Sequence, residues 1–154
     1  MKIIALCILL ILAAPASADD FDYSAYQATS LAKVIASADI DSRTDYYFDA
    51  ALPRYKTVGT FTGKMRPVAN QVGVFITMWA KTDQLPASYR ELFKTEVEIK
   101  QDSTTYWMPI QESLIGSFRQ EVAPGRKVTL YLLFMGENKH SPVFAISGFD
   151  SAEV

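Results

Sequence analysis

Val128 to Met135 (VTLYLLFM) is apolar on both of its alternating faces, with Val128, Leu130, Leu132 and Phe134 on one and Tyr131, Leu133 and Met135 on the other. A strand of this kind has no face to give to water, so it belongs inside a sheet with protein on both sides. That requirement makes the chain β-rich, and the rest of the sequence supplies neighbours. Tyr55 to Gly63 alternates around Thr57, Gly59 and Thr60, a small-residue strand suited to a tight bend. Val72 to Lys81 alternates Val72, Val74, Ile76, Met78 and Ala80 against Gly73, Phe75, Thr77, Trp79 and Lys81, and is expected to be a second strand. Val97 and Ile99 alternate with Glu96, Glu98 and Lys100, a pattern that predicts a strand with one wet face. Gln101 to Thr104 is polar and turn-like, Tyr106, Met108 and Ile110 alternate again, and Val143 to Phe149 is the last strand.

Helical signals are fewer. Ser24-Ala25-Tyr26-Gln27 has capping-box spacing ahead of Ala28, Leu31, Ala32, Ile35 and Ala36, which predicts a helix from about Ala25 to Ala38. Ser88 to Glu91 is expected to form a short helical turn. Gln111 to Val122 has helical spacing through Leu114, Ile115 and Phe118 and is stopped by Pro124-Gly125.

The order of elements is strand, strand, strand (the third divisible by a hairpin), helix, strand, strand. In this it resembles the oligonucleotide/oligosaccharide-binding (OB) fold, a five-stranded Greek-key barrel with a helix between strands three and four. The matching segments are Val72–Lys81, Glu96–Ile110, Leu114–Phe118, Val128–Met135 and Val143–Phe149, within roughly Tyr55 to Phe149. The expected class is a β-rich α+β domain, an OB-like barrel preceded by an N-terminal helix. The resemblance lies in element order and rests on no diagnostic motif.

The first residues predict export. Met1-Lys2 is a short positive region, Ile3 to Leu12 is uninterruptedly apolar, and Ala16-Ser17-Ala18 ends in a small-x-small cut site before Asp19. The run is too short for a bilayer helix, which needs about 20 apolar residues. The expected organisation is a signal peptide (1–18), an acidic helical segment (19–53) and a barrel domain (54–154), with no membrane span once the signal is cleaved. The single cysteine, Cys7, lies in the signal, so disulfides, cysteine catalysis and zinc–thiolate sites are excluded from the remainder. With no Asn-x-Ser/Thr sequon as well, the expected location is a bacterial periplasm or the medium.

The chemistry-bearing inventory is thin. The lone histidine, His140, sits in a polar turn, and no Gly-x-Ser-x-Gly elbow, phosphate loop or His-Glu-x-x-His pair is present. Asp39 to Asp45 has the acid spacing of a calcium loop but places Arg43 at a ligand position and Ala50 where the final glutamate belongs. No catalytic residue, metal or cofactor is expected. With 15 Lys+Arg against 17 Asp+Glu, non-specific nucleic-acid binding is not expected either.

Aromatic residues and loop cations remain. The resemblance implies a ligand lying across strands two and three and stacking on aromatic rings, which makes Phe75, Trp79 and Trp107 the candidate platform. The same face also offers the N-terminal helix a place to dock. The loops Lys64–Gln71 and Gly136–Pro142 would bring Lys64, Arg66, Lys139 and His140 to one end of the barrel, with Arg54 and Lys56 nearby. Such cations attract phosphate, an anionic glycan or an acidic protein surface. The expected function is a non-enzymatic envelope protein that binds a protein or glycan. An inhibitor or immunity-type protein would look the same, and a hydrolase using two carboxylates distant in sequence is the enzymatic alternative.

Overall fold

The computed structural model describes residues 22–38, 45–49, 51–82, 84–139 and 141–151. The predicted signal peptide, most of the Asp39–Asp45 segment and His140 lie outside the described residues. Among those described, the chain forms seven strands of one mixed sheet and three α-helices, and no helix is long and apolar enough to cross a membrane.

The apolar strand is at the centre of the sheet, as its two dry faces require. β6 (Lys127–Asn138) pairs on one edge with β3 (Arg54–Pro67) and on the other with β7 (Ser141–Asp150). Its last residues, Gly136 to Asn138, also pair with the short β2 (Tyr46–Phe48). This approach is close enough that a Cβ on Gly136, at φ +127°, would collide with the Tyr47 carbonyl oxygen. β3 serves two partners. Up to Thr60 it pairs with β6, and from Thr60 onward with β4 (Thr95–Gln101). The register shifts between Phe61 and Met65, where Gly63 takes φ +92°, so the expected bend is present.

The predicted hairpin is also present: β4 turns at Asp102 into β5 (Thr104–Ile110). β5 meets β7 in parallel through the single pair Ile110↔Ile146. The sheet order is therefore β3-β4-β5-β7-β6, with β6 pairing back onto β3. β2 is added at one end, and β1 (Gln27–Ala28) runs parallel to Tyr55–Lys56 at the other.

Three expectations about local structure are corrected. Val72 to Lys81 is not a strand but lies in α2 (Asn70–Thr82). Val72, Phe75, Ile76, Trp79 and Ala80 follow i, i+3, i+4, i+7, i+8 spacing, and all but the partly buried Val72 are fully buried. The alternating row breaks where a strand would need it, because Val74 is 39% exposed. Thr77 and Thr82 donate their hydroxyls to the Gly73 and Met78 carbonyls one turn back, so neither hydroxyl is left without a partner in the helix. Second, the N-terminal helix is shorter than expected. α1 (Leu31–Ser37) is capped by Ser30, whose Oγ accepts from the Lys33 N–H, and Ser24 lies in a turn. Upstream, Tyr23 stacks on Tyr131 with ring centres 3.7 Å apart, the Tyr26 N–H closes a turn onto the Tyr23 carbonyl, and β1 takes Gln27 and Ala28 into the sheet instead of a helix. Third, the face of β4 expected to be wet is so only at Lys100, with Glu96 and Glu98 both buried.

The short helical turn is confirmed as a 3₁₀ helix over Ala87–Leu92, and the helix after β5 as α3 (Ile115–Glu121), entered through a 3₁₀ turn at Glu112–Leu114. Two apolar clusters result. One gathers Leu31 and Val34 of α1, Ile115 and Phe118 of α3, and the inward residues of β3 to β7. The other lies under α2, where Phe75, Ile76, Trp79 and Ala80 meet Phe93, Met135, Val143 and Ala145. Each large side chain so buried stabilises the fold by roughly 1.5–3 kcal/mol. The N-terminal helix thus docks on the first cluster, and α2 itself supplies and covers the second.

Candidate functional site

β3 carries Arg66 and Lys64 alongside Glu96 and Glu98 of β4, because Arg66 is register partner to Glu96 and side chains two residues apart share a face. The Arg66 Nε–H donates to Glu96 Oε2 at 2.8 Å, and the Ala69 N–H reaches the same oxygen at 3.4 Å. The guanidinium carbon lies 4.0 Å from the ring centre of Trp107, a cation–π contact that packs the arginine head against the indole. Glu96 is 1% exposed at its side chain, and its Oε1 has no hydrogen-bond partner.

Beside this pair lies a cleft of about 480 Å³. Arg66, Ala69 and Glu96 form one wall with the start of α2, Thr104 to Trp107 of β5 another, and the β6–β7 turn a third, through Asn138, Lys139 and Ser141 to Phe144. The cleft exists because β5 and β7 share only the Ile110↔Ile146 pair and part from each other toward Thr104 and Ser141. Asn138 is 5% exposed and its Oδ1 also lacks a partner. Two residues of one cavity lining therefore each hold a buried acceptor without a donor, an arrangement that costs about 1–3 kcal/mol per group unless a ligand or water supplies the hydrogen bond.

The predicted site residues divide accordingly. Trp107, Arg66 and Lys139 come together at the cleft, and Lys139 is exposed at φ +47° in the turn. Phe75 and Trp79 do not form a platform. They are 0% and 1% exposed, with Phe75 stacked on Phe48 and Trp79 packed near Tyr89. The two expected loops are largely strand and helix: residues 64–67 belong to β3, 70 and 71 to α2, and 136–138 and 141–142 to the ends of β6 and β7. Lys64 is engaged by Glu98 at 3.3 Å, and Lys56 lies over Tyr131, away from the cleft. Glu96 and Asn138 were missed. Their types and positions, an acid alternating with valine and an asparagine before a turn, read locally as solvated.

Glu98 shows a second carboxylate held by its surroundings. The Thr62 hydroxyl donates to its Oε2 at 2.6 Å, and this bond is the main cause of a pKa below the usual carboxylate range. Burial acts in the opposite direction, while Lys64 and Arg66 add to the lowering. Because the folded state holds the proton more weakly than the unfolded state, this contribution is complete above the unfolded pKa of about 4.3 and fades as pH falls below it. The Tm gap between the parent and Glu98→Gln should therefore narrow between about pH 6 and pH 3. A gap constant over that range would show that Glu98 is not held in this way.

Among the described residues no group of three or more His, Cys, Asp or Glu side chains is placed to hold a metal ion. The chain matches no family model, no curated protein and no solved structure.

Proposed function

We propose that the chain is an exported, non-enzymatic binding protein that engages a glycan or an envelope protein through the cleft between β5 and the β6–β7 turn. The observation that carries this reading is that Glu96 and Asn138, each with a buried and unpartnered acceptor (Oε1 and Oδ1), both line one cavity. The cleft volume falls in the range of about 300–1,000 Å³ common to small-ligand sites. Within it the only carboxylate among the described lining residues is Glu96, tied to Arg66, whereas hydrolysis through paired carboxylates needs two.

The finer reading of the fold is an OB-like barrel. It is supported by the antiparallel β3–β4–β5 succession, α3 between β5 and β6, the parallel β5–β7 contact and the return of β6 to β3. In that reading α2 is an insertion between the first and second barrel strands. Export rests on the Met1–Ala18 pattern, with cleavage before Asp19 and a periplasmic or extracellular destination.

The test is site-specific photocrosslinking in cells, with the reactive residue at Thr105 on the cleft and, as control, at Gln120 on the exposed side of α3. A discrete adduct from position 105 and none from 120 is the expected result. A protein adduct of one-to-one stoichiometry would identify an inhibitor or immunity-type partner, and a glycan adduct a polymer-binding module. Identical labelling from both positions would remove the cleft from consideration.

A further inference from the structure

The polar groups of the cleft also select among ligand chemistries, and this inference rests on the binding function proposed above. Two residues of the lining, Glu96 and Asn138, each hold a buried acceptor without a partner, Oε1 and Oδ1, so a ligand that reaches them must bring hydrogen-bond donors. Those donors should be neutral. Arg66 already compensates Glu96, and Lys139 adds a second positive charge to the lining, so a ligand cation would meet repulsion. At the same time Arg66 is 43% exposed and its only hydrogen bond among the described residues leaves from Nε, so its terminal nitrogens are available. Held at Nε by Glu96 and packed on Trp107, the fork is preset for a carboxylate, which it binds through two parallel N–H bonds.

Hydroxyl donors for Glu96 and Asn138 and a carboxylate for Arg66 describe an acid-bearing sugar. A peptide strand laid along the parted edges fits less well. Pro109 of β5 and Pro142 of β7 lack the N–H that strand addition uses, and proline on an edge discourages pairing. A nucleobase stacked on Trp107 is opposed by Arg66, which already covers one face of the ring. We infer that the cleft binds a short stretch of a uronic-acid-containing oligosaccharide, its hydroxyls donating to Glu96 and Asn138 and its carboxylate held by Arg66 and Lys139.

The experiment titrates the purified protein by calorimetry and by amide NMR with hexamers of galacturonate, glucuronate and mannuronate. Their methyl esters, an N-acetylglucosamine hexamer and hexaglutamate serve as comparisons. At least one uronate hexamer should bind saturably, move the amides of Trp107 and Lys139, and bind about tenfold more tightly than its methyl ester. Arg66→Lys keeps a cation beside Glu96 and removes the fork, so it should weaken binding about tenfold with little change in Tm. Lys139→Gln, in an exposed turn, should weaken it less and reduce the salt dependence. Equal affinity for esters and acids, or cleft shifts with the neutral hexamer or hexaglutamate alone, would overturn the inference and leave the cleft as a binding site. If no probe moves the cleft amides, the uronate assignment falls. If crosslinking from Thr105 is also silent, the binding function falls with it.

Discussion

Trp79→Ala should lower stability by about 3–5 kcal/mol, the usual cost of removing a large aromatic side chain from a packed core. Trp79 is 1% exposed and packs with Phe75, Ile76 and Phe93 in the cluster under α2, so the vacated space is closed off on every side. For a chain of this size a loss of that order lowers Tm by about 10 °C or more. Trp79→Phe should behave differently. The indole Nε1–H is buried without a partner, and an unsatisfied buried donor costs about 1–3 kcal/mol. Phenylalanine removes that cost while leaving a small void, so the two terms offset and stability should stay within about 1 kcal/mol of the parent. Urea denaturation of both variants measures the contrast. Equal losses in the two would show that the indole N–H is satisfied in solution, and no loss in the alanine variant would show that α2 is not docked through this residue.

Arg66→Ala should cost about 3 kcal/mol, although Arg66 itself is half-exposed. The cause is the partner it leaves behind, since Glu96 is buried in the sheet and its remaining contact is the 3.4 Å bond from Ala69 N–H. An uncompensated buried charge is among the most destabilising single changes. Removing both charges with Arg66→Met and Glu96→Leu should recover most of the loss, because a buried ion pair replaced by apolar groups of similar size is often close to neutral. A double-mutant cycle by chemical denaturation reads the coupling. Strictly additive losses would mean that the pair is not an energetic unit, and the arginine fork would then not be preset for a ligand.

How much could be read in advance varied by element. β6 was legible because its apolar run is only eight residues long, carries Val, Thr, Tyr and Phe, and is bounded by Pro124-Gly125 and Gly136. The β4–β5 hairpin and α3 were legible because polar turn residues and a change of apolar period mark their ends. α2 was not. In VGVFITMWAK nearly every residue is apolar or small, so a two-residue and a 3.6-residue stripe fit equally well. The choice between them came from what lies opposite, since the face formed by Met135, Val143 and Ala145 receives a helical stripe of Phe75, Ile76 and Trp79. Misreading the period also misplaced the aromatic platform, because it turned two core residues outward.

The candidate site divides along the same line. Trp107, Arg66 and Lys139 were visible as an aromatic ring and cations near strand ends, whereas Glu96 and Asn138 carried no local mark of burial. The sequence by itself determined the β-rich class, the central strand, the bend near Gly63 and the lack of thiol chemistry outside Cys7. These follow from local period, turn residues and residue counts. The tertiary structure alone decided that α2 is a helix, that Glu96 is dry and paired with Arg66, and that β5 and β7 part to leave a polar cleft. Each of those depends on contacts between segments distant in the chain, and the free energy of burying a charge or an apolar face is set by the neighbours that folding brings.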